Sequence, residues 1–274
     1  MKKGTKFALH TIAAVLFAGL VLSGAYAKET KKSSALHQKT IIVGTGNAFK
    51  PYCYLDDNGN LTGYEKDVLD AVDALLPQYT FDYEQFAFKD ILISLGAGKI
   101  DIGAHQFETN PDRRKNFLYS EETYTSFILY ITVPESNTTI HEIDDLKGKT
   151  VLASIGSNES YVLEQYNKNH PDEKINLAYL ASPPREQVVA GIKNGTWDAF
   201  VDIKRDVEIY NKEYKAGFKT VGKPIATSFT YYIFAKGNTE LQQAVDGALR
   251  QLKKSGRLSA ISIRDLGADY TQGE

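Results

Sequence analysis

Cysteine is nearly missing from this chain: Cys53 is the single one in 274 residues. An internal disulfide framework and a cysteine cluster for a metal are thereby excluded. No H-E-x-x-H and no G-x-S-x-G occurs, so metal-assisted hydrolysis and serine acyl transfer lack their parts. Histidine is sparse, with five in all. His10 lies in an N-terminal apolar run, His37 in a polar tether, and His141 and His170 in charged loops, which leaves His105 as the one candidate acid or base. An excess of positive charge is also missing. Thirty-two basic residues face 34 acidic ones, a formal charge of −2, which disfavours nucleic acid and anionic membranes as partners. No metal and no cofactor is expected.

At the N-terminus, Lys2, Lys3 and Lys6 precede an apolar run from about Phe7 to Leu22, and Ser23-Gly24-Ala25-Tyr26-Ala27 follows. This reads as a secretory signal peptide over residues 1–27, cleaved after Ala27. The run is interrupted by His10 and Thr11 and is marginal for a spanning helix, so a retained anchor is the alternative. Leu22-Ser23-Gly24 resembles the start of a bacterial lipoprotein box, but Ala25 stands where that box needs its cysteine. Residues 28–39, rich in Lys, Thr, Ser and Gln, cannot bury enough surface to offset chain entropy and read as a flexible tether. Loss of residues 1–27 removes three lysines and no acid, taking the formal charge to −5 and leaving 247 residues. That length suits one large or two modest lobes.

The folded part opens with an apolar strand, Thr40 to Val43, running into Gly44-Thr45-Gly46. Glycines after a strand raise the dinucleotide question, but Phe49 occupies the third glycine position and no helix pattern opens there. Residues 63–77 place Val68, Leu69, Val72, Leu75 and Leu76 on one helical face. Residues 80–86 alternate as a strand, 88–95 read as a short helix, and 100–104 as another strand. The order β-α-β-α-β predicts a mostly parallel sheet with crossover helices. Ligands sit beyond the strand C-termini of such sheets, where Phe49, Phe88 and His105 would converge.

The stretch Gly103-Ala-His-Gln-Phe-Glu-Thr-Asn-Pro-Asp-Arg-Arg114 follows an apolar run and abruptly turns polar, as a site at a strand end does. Pro111 and Asp112 start a turn or helix that carries Arg113 or Arg114 beside the polar residues. An arginine fork binds a carboxylate in bidentate fashion, Glu108 offers a charge for an ammonium, and His105 and Gln106 add hydrogen bonds. A solvated turn is the plainer alternative.

A second α/β series follows the β-rich run 126–133. It comprises a strand at 150–154, a helix opening at Gly156-Ser157-Asn158, a strand at 176–180, a helix through Val188, Val189 and Ile192, and a strand at 198–202 that ends on Asp202. The helix start at Ser157 and Asn158 has free N–H groups for an anion, unless it is an ordinary N-cap. A second β-rich run, 229–235, and an amphipathic helix through Leu241, Val245, Leu249 and Leu252 close the chain. Two strand-like runs bracketing the second series are what a hinge needs.

In this order the motifs resemble the solute-binding proteins of bacterial ABC importers, in the polar amino-acid family. The signs are Phe49-Lys-Pro51, Leu61-Thr-Gly63-Tyr-Glu65, Gly98-Lys-Ile-Asp101, Asn110-Pro-Asp-Arg113, Asp145-Leu-Lys-Gly-Lys149, Gly195-Thr-Trp-Asp-Ala199 and Ala235-Lys-Gly-Asn238. The resemblance implies an α/β, two-lobed periplasmic-binding-protein fold of type II, each lobe a mostly parallel sheet with flanking helices. Residues 40–130 with 233–274 would form one lobe and 131–232 the other. It also implies a monomer that hands a small polar amino acid to a membrane permease.

By the same resemblance, Phe49 and Phe88 are wall residues and Arg113 clamps the ligand carboxylate. His105, Gln106 and Glu108 line the first lobe, and Gly156, Ser157 and Asn158 cradle the carboxylate from the second. The family's ammonium-binding acid falls on Ile203. Asp202 stands one residue early, where strand alternation turns it away unless a bulge restores it, so Asp202 stays a candidate ligand-binding residue while Glu108, more than Asp202, is expected to take the ammonium. Ala104-His-Gln-Phe-Glu108 is similar to the branch that binds cystine and related sulfur amino acids. The alternatives are an enzyme on this fold, such as a cyclohexadienyl or arogenate-type dehydratase, and a ligand sensor.

Overall fold

The computed structural model describes residues 38–272. Residues 1–27, expected to be a signal peptide, and nearly all of the expected tether lie outside the described residues. Lys39, the expected last residue of the tether, is instead the first residue of β1 (Lys39–Thr45) and pairs with Tyr79. β1 drives Ile41 and Val43 fully into the core. A small antiparallel sheet follows, built of β2 (Ala48–Phe49), β3 (Cys53–Leu55) and β4 (Leu61–Thr62). These strands are too short for a periodicity to show.

α1 (Tyr64–Asp73) is shorter than the expected 63–77 but buries Val68, Leu69 and Val72 as one apolar face. β5 (Tyr79–Gln85) lies parallel to β1 along its whole length. α2 (Phe88–Gly96) then crosses back, and β6 (Ile102–Glu108) joins β1 from the other side, again parallel. The β-α-β-α-β reading holds. β6, however, continues to Glu108, so His105, Gln106 and Glu108 sit on a strand and not on the turn after it. α3 (Pro111–Asn116) begins at Pro111, as the proline and the preceding asparagine predict, and β7 (Phe117–Tyr119) follows.

β8 (Thr125–Pro134) is buried at all but its last position. The second series follows as β9 (Thr150–Ser154), α4 (Asn158–Asn169), β10 (Asn176–Leu180), α5 (Arg185–Lys193) and β11 (Ala199–Ile203). α6 (Lys204–Tyr214) leaves β11 without a loop. β12 (Phe218–Ala235), α7 (Thr239–Lys254) and α8 (Arg257–Leu266) complete the order.

The main sheet runs β10-β9-β11-β8-β12-β6-β1-β5, with β7 on β12. Parallel strands occupy both flanks, and the antiparallel pair β8 and β12 joins them. One apolar cluster includes Ile41, Leu69, Leu129, Val151 and Ile203, while a second packs Val188, Ile192 and Trp197 around Phe200. The two parallel groups thus open toward each other beyond their strand ends, with β8 and β12 behind.

Candidate functional site

Beyond those strand ends lies a cavity of ≈ 500 Å³, within the range of about 300–1,000 Å³ usual for small-molecule sites. Phe49, Phe88, His105, Gln106, Glu108, Arg113, Ser157, Asn158 and Asp202 all line it. Gly156, expected to cradle the carboxylate, is not among the lining residues, and its carbonyl instead accepts from Arg113 Nη2. The polar residues fall into two groups.

The first group centres on Arg113. Asn110 caps α3 by accepting from the Arg113 N–H at 2.9 Å, which turns the side chain inward. Its guanidinium donates from Nη1 to Glu108 O and from Nη2 to Gly156 O, each at 2.7 Å. It also lies over the Phe107 and Phe88 rings, 5.3 and 5.9 Å from their centroids. Arg114, by contrast, is exposed and rests on Tyr119 and Tyr231. Asn158 Nδ2 donates to Glu108 Oε1 at 3.0 Å. Burial pushes the Glu108 carboxyl well above the usual range, Glu159 adds to this and Arg113 opposes it. Ser157 is an N-cap after all, its Oγ accepting from Ser160 N at 3.1 Å, so part of the α4 terminus is already satisfied.

Between the groups stands an aromatic wall. His105 stacks on Phe49 at 5.2 Å and 5°, and meets Phe88 edge-on at 5.0 Å. Burial pushes the imidazole down to about 4, so it is neutral at physiological pH. Gly46 makes room for it. A Cβ there would come within 2.4 Å of His105 Nε2, which gives this glycine after β1 a packing role in place of a dinucleotide cradle.

Neither Arg185 nor Asp206 was singled out from the sequence, yet they form the second group with Asp202. Asp202 corrects an expectation. It faces the cavity, while Ile203 points to the opposite side and is fully buried in the core. Alternation along β11 explains this: Ala199, Val201 and Ile203 join one apolar cluster and Phe200 the other, so Asp202 shares the cavity side with Phe200. Asp206, on the first turn of α6, accepts from Tyr52 OH at 2.9 Å and pairs with Arg185 at 3.4 Å. Tyr52 OH in turn accepts from Arg205 Nε at 2.7 Å. Arg185 Nη1 also donates to Lys50 O at 2.7 Å. Burial pushes the Asp202 carboxyl well up, helped by the Asp206 charge and opposed by Arg185. The missed signal was the spacing of Val207, Tyr210 and Tyr214, which marks α6 as a helix in an otherwise polar run.

This fold and this cleft define a class, and the sequence agrees with it. Residues 41–267 match the bacterial extracellular solute-binding proteins, family 3, and the chain belongs to that family. It is 37% identical over 258 residues to the L-cystine-binding protein TcyJ of Bacillus subtilis, covering 94% of this chain and 95% of that protein. The L-cystine-binding protein TcyK of the same organism is 35% identical over 266 residues, covering 97% of this chain and 95% of that one. A solved structure of a putative L-cystine ABC transporter from Listeria monocytogenes superposes with a TM-score of 0.79 at 37% identity, covering 85% of this chain and 98% of its own. The two-lobed, type II periplasmic-binding-protein fold expected from the motifs is the fold of this chain.

Proposed function

We propose that this chain captures L-cystine, or a related sulfur amino acid with two amino-acid ends, and delivers it to the permease of an ABC importer. The observation that carries the reading is the presence of two acid-base groups in one cavity, Arg113 with Glu108 and Arg185 with Asp202 and Asp206. A ligand with one zwitterionic end needs one such group. A ligand with two ends needs both, and an apolar linker would lie along Phe49, Phe88 and His105. In each group the arginine has N–H donors for a carboxylate, and a carboxyl held up by burial becomes a stable anion once an ammonium meets it.

On this proposal residues 40–130 with 233–274 and residues 131–232 act as two lobes that close over the ligand, hinged at β8 and β12. Arg113 to Gly156 and Arg185 to Lys50 are bonds between them. The protein acts after removal of residues 1–27, outside the cytoplasm, as a monomer and without turning its ligand over. A neutral imidazole with its pKa near 4, packed among rings, suits a wall better than a proton shuttle.

The test is a thermal-shift panel of amino acids at sub-millimolar concentration, since a ligand selective for the native state raises apparent stability by RT ln(1 + [L]/Kd). L-cystine should give the largest shift. A larger shift from a one-ended amino acid such as glutamine or arginine would overturn the ligand assignment.

A further inference from the structure

Glu65, the second residue of α1, is 1% exposed and no ion pair with it occurs among the described residues. Its carboxylate instead accepts from Tyr124 OH at 2.7 Å on Oε1, and on Oε2 from both the Gln106 backbone N–H at 3.2 Å and Gln106 Nε2 at 2.7 Å. Gln106 is unusual for a strand residue. Its φ is 51°, in the left-handed region, and beside it the pairing of β6 with β12 shifts register between Tyr231 and Ile233. Two bonds accepted by one carboxylate oxygen therefore hold a bulged residue that lines the cavity.

A carboxylate is only an acceptor, so the amide must turn Nε2 toward Glu65. Oε1 is then left over. It is buried, on a residue 5% exposed, and has no hydrogen-bond partner among the described residues. An unpaired buried acceptor is costly, and a ligand donor that reached it would remove that cost.

We propose that Glu65 is a positioning residue for ligand selection: by fixing the Gln106 amide, it presents Oε1 to the cavity as an acceptor for a ligand ammonium. The inference rests on the reading of the cavity as an amino-acid site and adds to it a residue that itself does not line the cavity. It also predicts a pH response. Burial holds the Glu65 carboxyl up at about 7, against the bonds from Tyr124 and Gln106. The titratable groups facing it are Tyr64 on α1, Cys53 on β3, Tyr83 on β5, Tyr124 ahead of β8 and Tyr232 on β12, and all are uncharged near neutrality, with Cys53 pushed up to about 12. Within this cluster, then, Glu65 alone titrates there. Once protonated it donates, the amide turns Oε1 toward it, and the ammonium meets Nε2 instead of an acceptor.

The test combines NMR of the ligand-free protein with calorimetry using L-cystine. In ligand-free wild type the Gln106 side-chain amide signals, assigned through Gln106→Leu, should titrate near pH 7, and in Glu65→Gln they should not. In calorimetry at pH 8, Glu65→Gln should weaken binding by about tenfold or more, the worth of one charge-assisted hydrogen bond. It should also lose the step near pH 7 that separates wild type from the remaining profile set by Glu108 and Asp202, while Glu65→Asp keeps a step. Gln106→Leu should lose the same affinity, and the double variant no more than either. Unchanged affinity and an unchanged pH profile in Glu65→Gln would overturn the proposal. Should wild type not bind L-cystine, the ligand assignment fails separately, and Gln106 amide signals unmoved between pH 6 and 8 overturn the role of Glu65 on their own.

Discussion

Asn158 Nδ2 donates to Glu108 Oε1 at 3.0 Å, so the first residue of α4 holds the carboxyl at the last residue of β6. Arg113 makes a parallel link, reaching Glu108 O and Gly156 O at once. The carboxylate and the guanidinium that would bind one end of a zwitterion are thus both held between Glu108 at the end of β6 and the segment 156–158 at the start of α4. Removal of Arg113 should cost about 2–5 kcal/mol of binding, whereas Arg114→Ala, on an exposed side chain, should cost little. Titration calorimetry ranking the two the other way would move the clamp to Arg114.

Glu108 and Asp202 serve different ends of the ligand on this account. Glu108→Gln and Asp202→Asn should each weaken L-cystine binding by several kcal/mol, because each strands one ammonium in a dry site. Against a one-ended ligand only one of the two substitutions should matter. Equal loss against both kinds of ligand would show the carboxyls acting as a single site.

The pH dependence of stability separates Glu65 from His105. Glu65 has a folded pKa raised from 4.5 to about 7, so the folded state holds the proton longer than the unfolded one, and its contribution falls as pH rises through that window. His105 is lowered from 6.5 to about 4, so the unfolded state binds more protons there and its contribution rises over pH 4 to 6.5. Each effect is on the order of 3 kcal/mol, from 1.36 kcal/mol per unit. Relative to wild type, urea melts of Glu65→Gln should therefore gain stability from pH 5 to 7.5, and His105→Gln should lose it from pH 4.5 to 6.5. Slopes of the opposite sign would contradict the burial of these groups.

Gly46→Ala should disturb the aromatic wall, since its Cβ would fall 2.4 Å from His105 Nε2. The expected result is a weaker ligand-induced thermal shift with the fold retained, read by circular dichroism. An unaltered shift would mean that His105 moves aside freely and is no fixed wall.

Much of the candidate site is legible in the sequence. The run from Gly103 to Arg114 shows it, because its polar residues break an apolar strand and Asn110-Pro111 is a helix start that aims Arg113 inward. Of the second acid-base group, only Asp202 is legible. Asp206 and Arg205 lie on a helix whose core-packing positions, Val207, Tyr210 and Tyr214, are few, and Arg185 opens α5 behind two prolines with no cue to what it faces. The family position on Ile203 makes Asp202 read as turned away, whereas alternation along β11 puts it on the cavity side with Phe200. Glu65 could be read as part of a motif, but its hold on Gln106 depends on a bulge that no pattern announces.

If one cavity holds both ends of a two-ended amino acid, calorimetry of L-cystine against S-methylcysteine reveals it in a single comparison. Wild type should bind L-cystine at least about tenfold more tightly, the value of 1.4 kcal/mol or more from the second group. Arg185→Ala should erase most of that difference while leaving S-methylcysteine nearly unaffected. Equal affinity for the two ligands in wild type, or an Arg185→Ala loss shared equally by both, would contradict the account.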